Sequence, residues 1–266
     1  MNTLNKLASL TSALDRHGSM AIAVSGGVDS MVLAFVAGRH SKGAVTVVHA
    51  ISPAVPAAAT NRVKAYAARE KWVLHCIDAG EMANPDYLAN PANRCFYCKS
   101  NLYAAIRSVT QATVASGTNL DDLDDYRPGL KAADLHGVAH PFVEAGLHKA
   151  DIYALARDHG LNDLAALPAQ PCLSSRIETG IAIDPDSLKF IEMVESDLGT
   201  KLPPSIPLRC RLTASGVFIE CGEIHEEQTM LHIQEHLTRL CAESGRFFGG
   251  IRPYRRGSAF LRNQAS

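Results

Sequence analysis

The apolar positions in the first half of the chain fall into short runs separated by stretches of helical period. Met20-Ala21-Ile22-Ala23-Val24 is apolar throughout and too short for a helix, so it reads as a buried strand. It breaks at Ser25-Gly26-Gly27-Val28-Asp29-Ser30, and an apolar helical run follows from Met31. Residues 44–50, 72–78 and 112–116 read as further strands, residues 58–70 and 99–108 as helices, and residues 139–143 as a fifth strand. This βαβ alternation predicts an α/β protein with a doubly wound, mostly parallel sheet. Ligands in such sheets bind at the carboxyl ends of the strands.

The second half is patterned differently. A helix over 149–159 ends at Gly160, where a left-handed cap is expected. Residues 162–183 contain prolines and no clear period, and Asp184-Pro185 opens a charged helix to about residue 198. A loop of that length is usually functional. After the proline-rich stretch 201–207, residues 208–213 and 217–221 form a hairpin around Ala214-Ser215-Gly216, and a helix spans 226–243. The expected organisation is a nucleotide-binding domain over 1–183 and a smaller C-terminal α+β domain over 184–266, for substrate binding and oligomerisation.

Composition narrows the classes. The 266 residues are 47% hydrophobic with a formal net charge of -1, so there is core enough for one large or two smaller domains and no overall basic field for nucleic acid. A nucleic-acid partner is therefore disfavoured, although Arg252, Arg255 and Arg256 cluster locally. No apolar run approaches the roughly 20 residues of a membrane helix, and the N-terminal segment mixes Lys6, Asp15 and Arg16 into an amphipathic pattern. A cytoplasmic protein with no membrane partner is expected. Eleven histidines are scattered without a metal-like cluster, and seven cysteines are too dispersed for a secreted disulfide scaffold. Thiols, metal ligation or sulfur chemistry fit them better.

The Ser25–Ser30 loop carries the most specific chemistry. Two glycines let the backbone turn tightly around an anion, and the next helix aims its free N–H groups and positive dipole end at the same point. The Walker lysine is missing and the glycine spacing differs, while Asp29 suits a magnesium-bridged pyrophosphate. Ser-Gly-Gly-x-Asp-Ser resembles the signature of the PP-loop ATP pyrophosphatases, of the adenine nucleotide alpha hydrolase-like fold. That resemblance assigns Ser25, Gly26, Gly27, Asp29 and Ser30 to the pyrophosphate end of ATP.

Arg94-Cys95-Phe96-Tyr97-Cys98-Lys99 places two thiols at metal-ligand spacing just before a helix. The pair could be redox-active, half of a zinc site, part of an iron-sulfur site or two ordinary thiols. Cys172 stands in Pro171-Cys172-Leu173-Ser174-Ser175-Arg176, within the long loop, where Arg176 would favour its thiolate. If the loop folds back over the sheet, Cys172 meets Cys95 and Cys98, and three thiolates leave one metal position open. Cys76, Cys210, Cys221 and Cys241 are single, and packed thiols are the default in strand or apolar contexts.

Ser116-Gly117-Thr118-Asn119-Leu120-Asp121-Asp122-Leu123-Asp124-Asp125-Tyr126-Arg127-Pro128-Gly129-Leu130, followed by the Cys172 motif, resembles the LarE family, ATP-dependent sulfur transferases of nickel-pincer nucleotide biosynthesis. The resemblance runs from about residue 25 to residue 198 and more faintly to residue 211. It implies adenylation of a carboxylate on a pyridinium mononucleotide and its conversion to a thiocarboxylate. Cys172 would deliver the sulfur, Asp29 would act with magnesium, and Lys99 is the candidate cation. Members carrying a Cys-x-x-Cys as well imply a 4Fe-4S cluster on Cys95, Cys98 and Cys172, fed by an unidentified sulfide donor. Other members sacrifice the cysteine. Arg209 and Arg211 alternate onto one strand face and, with Arg176, are candidates for a substrate phosphate. A homo-oligomer is a family expectation, and residues 249–258 depart from the acidic family ending.

Competing readings are persulfide transfer from Cys172, a PP-loop tRNA thiolase, an amide-forming synthetase, and a non-catalytic nucleotide-binding module with structural zinc. The acid run at Asp121, Asp122, Asp124 and Asp125 reads equally as a solvated turn or as part of the active site.

Overall fold

All four residues of strand β1 (Met20–Ala23) are buried, because apolar layers cover both of its faces. Met20 and Ile22 join one core with Leu10 and Leu14, whereas Ala21 and Ala23 join another with Tyr103, Ile106 and Ala132. The computed structural model describes residues 3–124, 127–203, 206–223 and 227–254. In chain order its first part comprises α1 (Thr3–His17), β1, α2 (Val28–His40), β2 (Val45–Ala50), α3 (Ala57–Glu70), β3 (Val73–Ile77), α4 (Pro85–Leu88), α5 (Arg94–Val109) and β4 (Thr113–Ser116). Then come α6 (Pro128–Leu135), α7 (Pro141–Glu144), α8 (Lys149–Asp158), α9 (Asn162–Ala165), α10 (Pro185–Lys201), β5 (Leu208–Thr213), β6 (Gly216–Cys221), α11 (Glu227–Glu243) and β7 (Phe248–Pro253). No helix of the described residues is long and apolar enough to cross a membrane.

The chain divides into two units, one of Met1–Asn84 with Asn93–Pro171, the other of Pro85–Ala92 with Cys172–Ser266. In the first, four parallel strands lie in the order β3-β2-β1-β4, the doubly wound α/β arrangement expected. The order reverses direction at β1, where the Ser-Gly-Gly loop leaves the sheet. The expected fifth strand is absent: Ala139 makes an isolated bridge to Ala115, and Pro141 then starts α7 behind the N-cap His140. Proline has no N–H for a strand ladder, but its fixed φ suits the first helical position.

In the second unit β5 and β6 pair antiparallel as expected, and β7, not anticipated from the sequence, adds parallel to β6. Residues 172–183, which the sequence reading counts with the first domain, pack here. Ile177 bridges Leu212, and the Glu178 N–H donates to the Leu212 carbonyl at 2.8 Å. Segment Pro85–Ala92 braces the same loop. Buried Asn90, at φ +52°, donates to the carbonyls of Glu178 and Ile181, both at 2.9 Å, and the Tyr87 hydroxyl lies 2.6 Å from Ser174 Oγ.

Candidate functional site

The loop after β1 is held from within. Ser25 N–H donates to Ser30 Oγ at 3.1 Å, Gly27 N–H donates to Ser25 Oγ at 3.3 Å, and Ser30 Oγ donates to the Gly27 carbonyl at 3.2 Å. No side chain caps the start of α2 at Gly27. Gly26 sits at φ +83°, and a Cβ there would meet Ala59 Cβ and carbonyl oxygen at 2.9 Å. From the far side, Gly117 packs so closely that a Cβ would lie 2.7 Å from Ser30 N. Both glycines are therefore required by space, and the second belongs to the turn after β4.

Asp29, in the first turn of α2, has one oxygen buried without a hydrogen-bond partner and the other 2.5 Å from Lys149 Nζ. Burial raises its pKa above the usual carboxylate value, Lys149 opposes that, and nearby Asp122 adds to it. A divalent cation bridging phosphates would satisfy the orphaned oxygen, so these residues fit the magnesium and the pyrophosphate end of ATP expected from the sequence. Ser25, Gly26, Gly27, Asp29 and Ser30 thus form one cradle.

The acid run is partly structural. Asp121 accepts from the Lys149 N–H at 2.8 Å and pairs with His148 Nδ1 at 2.6 Å, and the first of these bonds pins the start of α8. Asp122 accepts from the Asn119 N–H at 3.1 Å and pairs with Arg127 at 2.9 Å. Asp124 is exposed, and Asp125 lies outside the described residues, as do Arg255 and Arg256.

Lys149 escaped the sequence reading although a helix start was expected there. No local signal marks it, because its partner Asp29 lies 120 positions away in the chain. Arg62 on α3 was also missed. It donates to the Gly26 carbonyl at 2.7 Å and the Gln170 side chain at 3.2 Å, while burial lowers its pKa against opposition from Asp163. His49, at the end of β2, is locked between the Val24 carbonyl (2.8 Å) and Thr60 Oγ1 (2.9 Å), and burial lowers its pKa.

Cys95 and Cys98 lie inside the first turns of α5 rather than before it, three residues apart on one face and half-buried. Gly129 of α6 packs on this turn: a Cβ there would stand 3.1 Å from Lys99 Cγ and 3.8 Å from the Cys95 carbonyl oxygen. Lys99 Nζ lies 5.9 Å from the centre of the Tyr103 ring. This pair can supply two thiolates to a metal centre, and among the described residues no three His, Cys, Asp or Glu side chains are gathered as a ligand set.

Cys172, half-buried, opens the second unit and caps the 3-10 turn Leu173–Arg176. Arg176 is 4% exposed. It grips Glu195 through Nε (3.0 Å) and Nη2 (2.9 Å), while Nη1 donates to the Cys172 carbonyl at 3.1 Å. Arg211, also buried, donates to Glu220 Oε2 at 2.8 Å and the Ser175 carbonyl at 2.7 Å. Two arginines thus fix the backbone on either side of Ser174. Burial, followed by the charge of Arg176, lowers the pKa of Arg209, so all three candidate phosphate residues share one electrostatic neighbourhood. Cys210, Cys221 and Cys241 are buried, where burial raises their pKa values, while Cys76 is exposed on β3.

Fold and loop together define an α/β protein with a tight Gly-Gly turn at the head of its first βα unit. No protein-family model matches the chain. It is 36% identical over 198 residues, 72% of each chain, to the uncharacterized protein slr1717 of Synechocystis sp., and it belongs to the same family. The uncharacterized protein MJ0830 of Methanocaldococcus jannaschii is 26% identical over 77% of this chain and 81% of its own. The pyridinium-3,5-bisthiocarboxylic acid mononucleotide synthase of Lactiplantibacillus plantarum is 26% identical over 77% of this chain and 75% of its own, which makes the present chain LarE-like.

Proposed function

We propose that the protein is an ATP-dependent sulfur transferase acting on a carboxylate of a pyridinium mononucleotide, in nickel-pincer nucleotide biosynthesis. The observation that carries this reading is the Ser25–Ser30 cradle with half-buried Asp29 paired to Lys149, in a chain similar to a bisthiocarboxylic acid mononucleotide synthase. The cradle's N–H groups and hydroxyls hold the β- and γ-phosphates, and Asp29 takes a magnesium ion through its orphaned oxygen. Lys149 leaves Asp29 for the phosphates as charge develops on the leaving group. A carboxylate oxygen of the acceptor attacks the α-phosphorus and pyrophosphate departs with the electron pair of the broken P–O bond. The acyl adenylate then takes a sulfur nucleophile at its carbonyl carbon, and AMP leaves.

Cys172 presents the sulfur, on a turn that Arg176 and Arg211 hold rigid by its carbonyls. Cys95, Cys98 and Cys172 are proposed as ligands of a 4Fe-4S cluster, which when bound would carry the transferable sulfide and spare the cysteine. Iron and acid-labile sulfide in anaerobically reconstituted wild type, with both diminished in Cys95→Ala and in Cys172→Ala, is the expected result. Equal iron in all three chains would remove the shared cluster and leave sacrificial or persulfide transfer from Cys172.

A further inference from the structure

The peptide joining Gly26 to Gly27 is the freest unit of the loop after β1. Glycine on both sides leaves its plane few steric limits, so it can turn over and show either its N–H or its carbonyl oxygen to the loop interior. In the observed conformation neither backbone nor neighbours oblige residue 27 to be glycine. Its φ is -78°, and a Cβ there would come no closer than 3.5 Å, to Ser25 Oγ. A turned-over peptide would carry that φ to positive values, where glycine is needed. The sequence therefore permits two peptide orientations, and a contact from outside the loop must choose between them.

Arg62 makes that choice. From α3, its Nη1 donates to the Gly26 carbonyl at 2.7 Å. C=O and N–H point in opposite directions from a trans peptide plane, so the Gly27 N–H faces away from Arg62. That N–H donates to Ser25 Oγ at 3.3 Å, a long bond that an incoming anion can replace. The same Nη1 donates to Gln170 Oε1 at 3.2 Å. Residues 168–171 are exposed and belong to no helix or strand, and Pro168 and Pro171 have no N–H to donate. Arg62 thus joins the loop to this segment within the first unit.

We propose that Arg62 is a positioning residue: it fixes the Gly26–Gly27 peptide with its carbonyl outward, presenting the Gly27 N–H to the pyrophosphate end of ATP, and through Gln170 it transmits occupancy of the loop to residues 168–171. The inference rests on the proposed ATP site and adds to it a residue that does not touch the ligand. An anion on the Gly27 N–H polarises the peptide and makes the Gly26 carbonyl a stronger acceptor. Arg62 is then held more firmly, and Gln170 with it.

The test titrates the full chain with magnesium pyrophosphate at low and high ionic strength and follows amide hydrogen exchange across residues 166–172. Wild type is expected to bind and to slow exchange in this stretch. Arg62→Met keeps an extended side chain without donors, and should bind roughly tenfold more weakly, the scale of one hydrogen bond from a charged group, and lose the slowing. Because Arg62 touches the peptide and not the anion, the ratio of the two affinities should stay constant as salt rises. Arg62→Lys restores a donor and should recover most of the affinity. Gln170→Ala, which tests the coupling even if the Met chain fails to fold, should keep wild-type affinity and lose the slowing. A Met chain as tight as wild type, a Lys chain no tighter than Met, or a ratio that shrinks with salt would overturn the positioning role, the last by placing Arg62 on the anion itself. Unslowed exchange in wild type, or slowing retained in Gln170→Ala, would overturn the coupling. A wild type that binds no pyrophosphate would overturn the ATP site and this role together, whereas a wild type that binds beside an unchanged Met chain would overturn the role of Arg62 alone.

Discussion

The Ser25–Ser30 loop of the first unit and the arginine face of the second are built by opposite means. The loop ties its own backbone N–H groups to two hydroxyls and holds a carboxylate, Asp29, against one lysine, Lys149. The arginine face uses guanidinium side chains whose buried members are neutralised by Glu195 and Glu220. A site made of backbone needs close approach and therefore glycine. A site made of side chains needs partners that hold long cations in place. Damage to the first should cost ligand before fold, and damage to the second should cost fold before ligand.

The largest effect expected from that contrast is at Glu195→Ala, which takes from buried Arg176 its bidentate partner. Removing one half of a buried pair typically costs about 3–5 kcal/mol. Thermal unfolding should fall by several degrees and Cys172 should react faster with a thiol reagent, while ATP titration of the first unit stays near wild type. A wild-type melt would place the Arg176–Glu195 pair outside the stabilising network.

Gly117→Ala should show the reverse pattern. Its Cβ would press on Ser30 N, and overpacking of this kind costs about 1–3 kcal/mol. ATP affinity should drop more than tenfold with only a modest change in melting temperature. Retained affinity would show that the turn after β4 yields without disturbing the cradle.

Asp29 sharpens the contrast through pH. Burial raises its folded-state pKa above the unfolded value, so its favourable contribution is present at low pH, where it is protonated, and is lost as pH rises through the folded value. Asp29→Asn should therefore gain melting temperature relative to wild type as pH rises above the usual carboxylate range, while losing magnesium-dependent ATP cleavage. Lys149→Ala should push the acid limb of the pyrophosphate-release profile to higher pH and slow release on the order of tenfold, the scale of one charged hydrogen bond. A profile identical to wild type would exclude the Lys149–Asp29 contact from catalysis.

The smallest effect belongs to an exposed group. Lys201 contacts Asp197 at 2.7 Å in α10, and Asp197 also meets His236. Lys201→Ala should cost no more than about 1 kcal/mol, and less in high salt, as read by denaturant titration.

What was legible in the chain divides along the same line. The parallel sheet, its strands and the tight turn after β1 could be read from local patterns, because apolar runs and a Gly-Gly turn carry their geometry within a few residues. The false strand at 139–143 came from an apolar run that Pro141 turns into a helix start. Lys149, Arg62, Glu195 and Arg252 were not singled out for the site because each acts on a partner distant in the chain. Lys149 meets Asp29 across 120 positions and Arg62 meets Gly26 across 36. Arg252 could not be assigned to a face while β7 was unrecognised, since two of its residues are glycines and its pairing to β6 is parallel and bulged.

The most direct test of sulfur transfer is mass spectrometry of both acceptor and protein after several turnovers. Anaerobically reconstituted protein would receive ATP, magnesium, a sulfide source and a pyridinium-3,5-dicarboxylate mononucleotide. The expected result is an acceptor that has exchanged carboxylate oxygen for sulfur, one pyrophosphate released per exchange, and an intact Cys172. Pyrophosphate release with no sulfur in the acceptor would contradict the account.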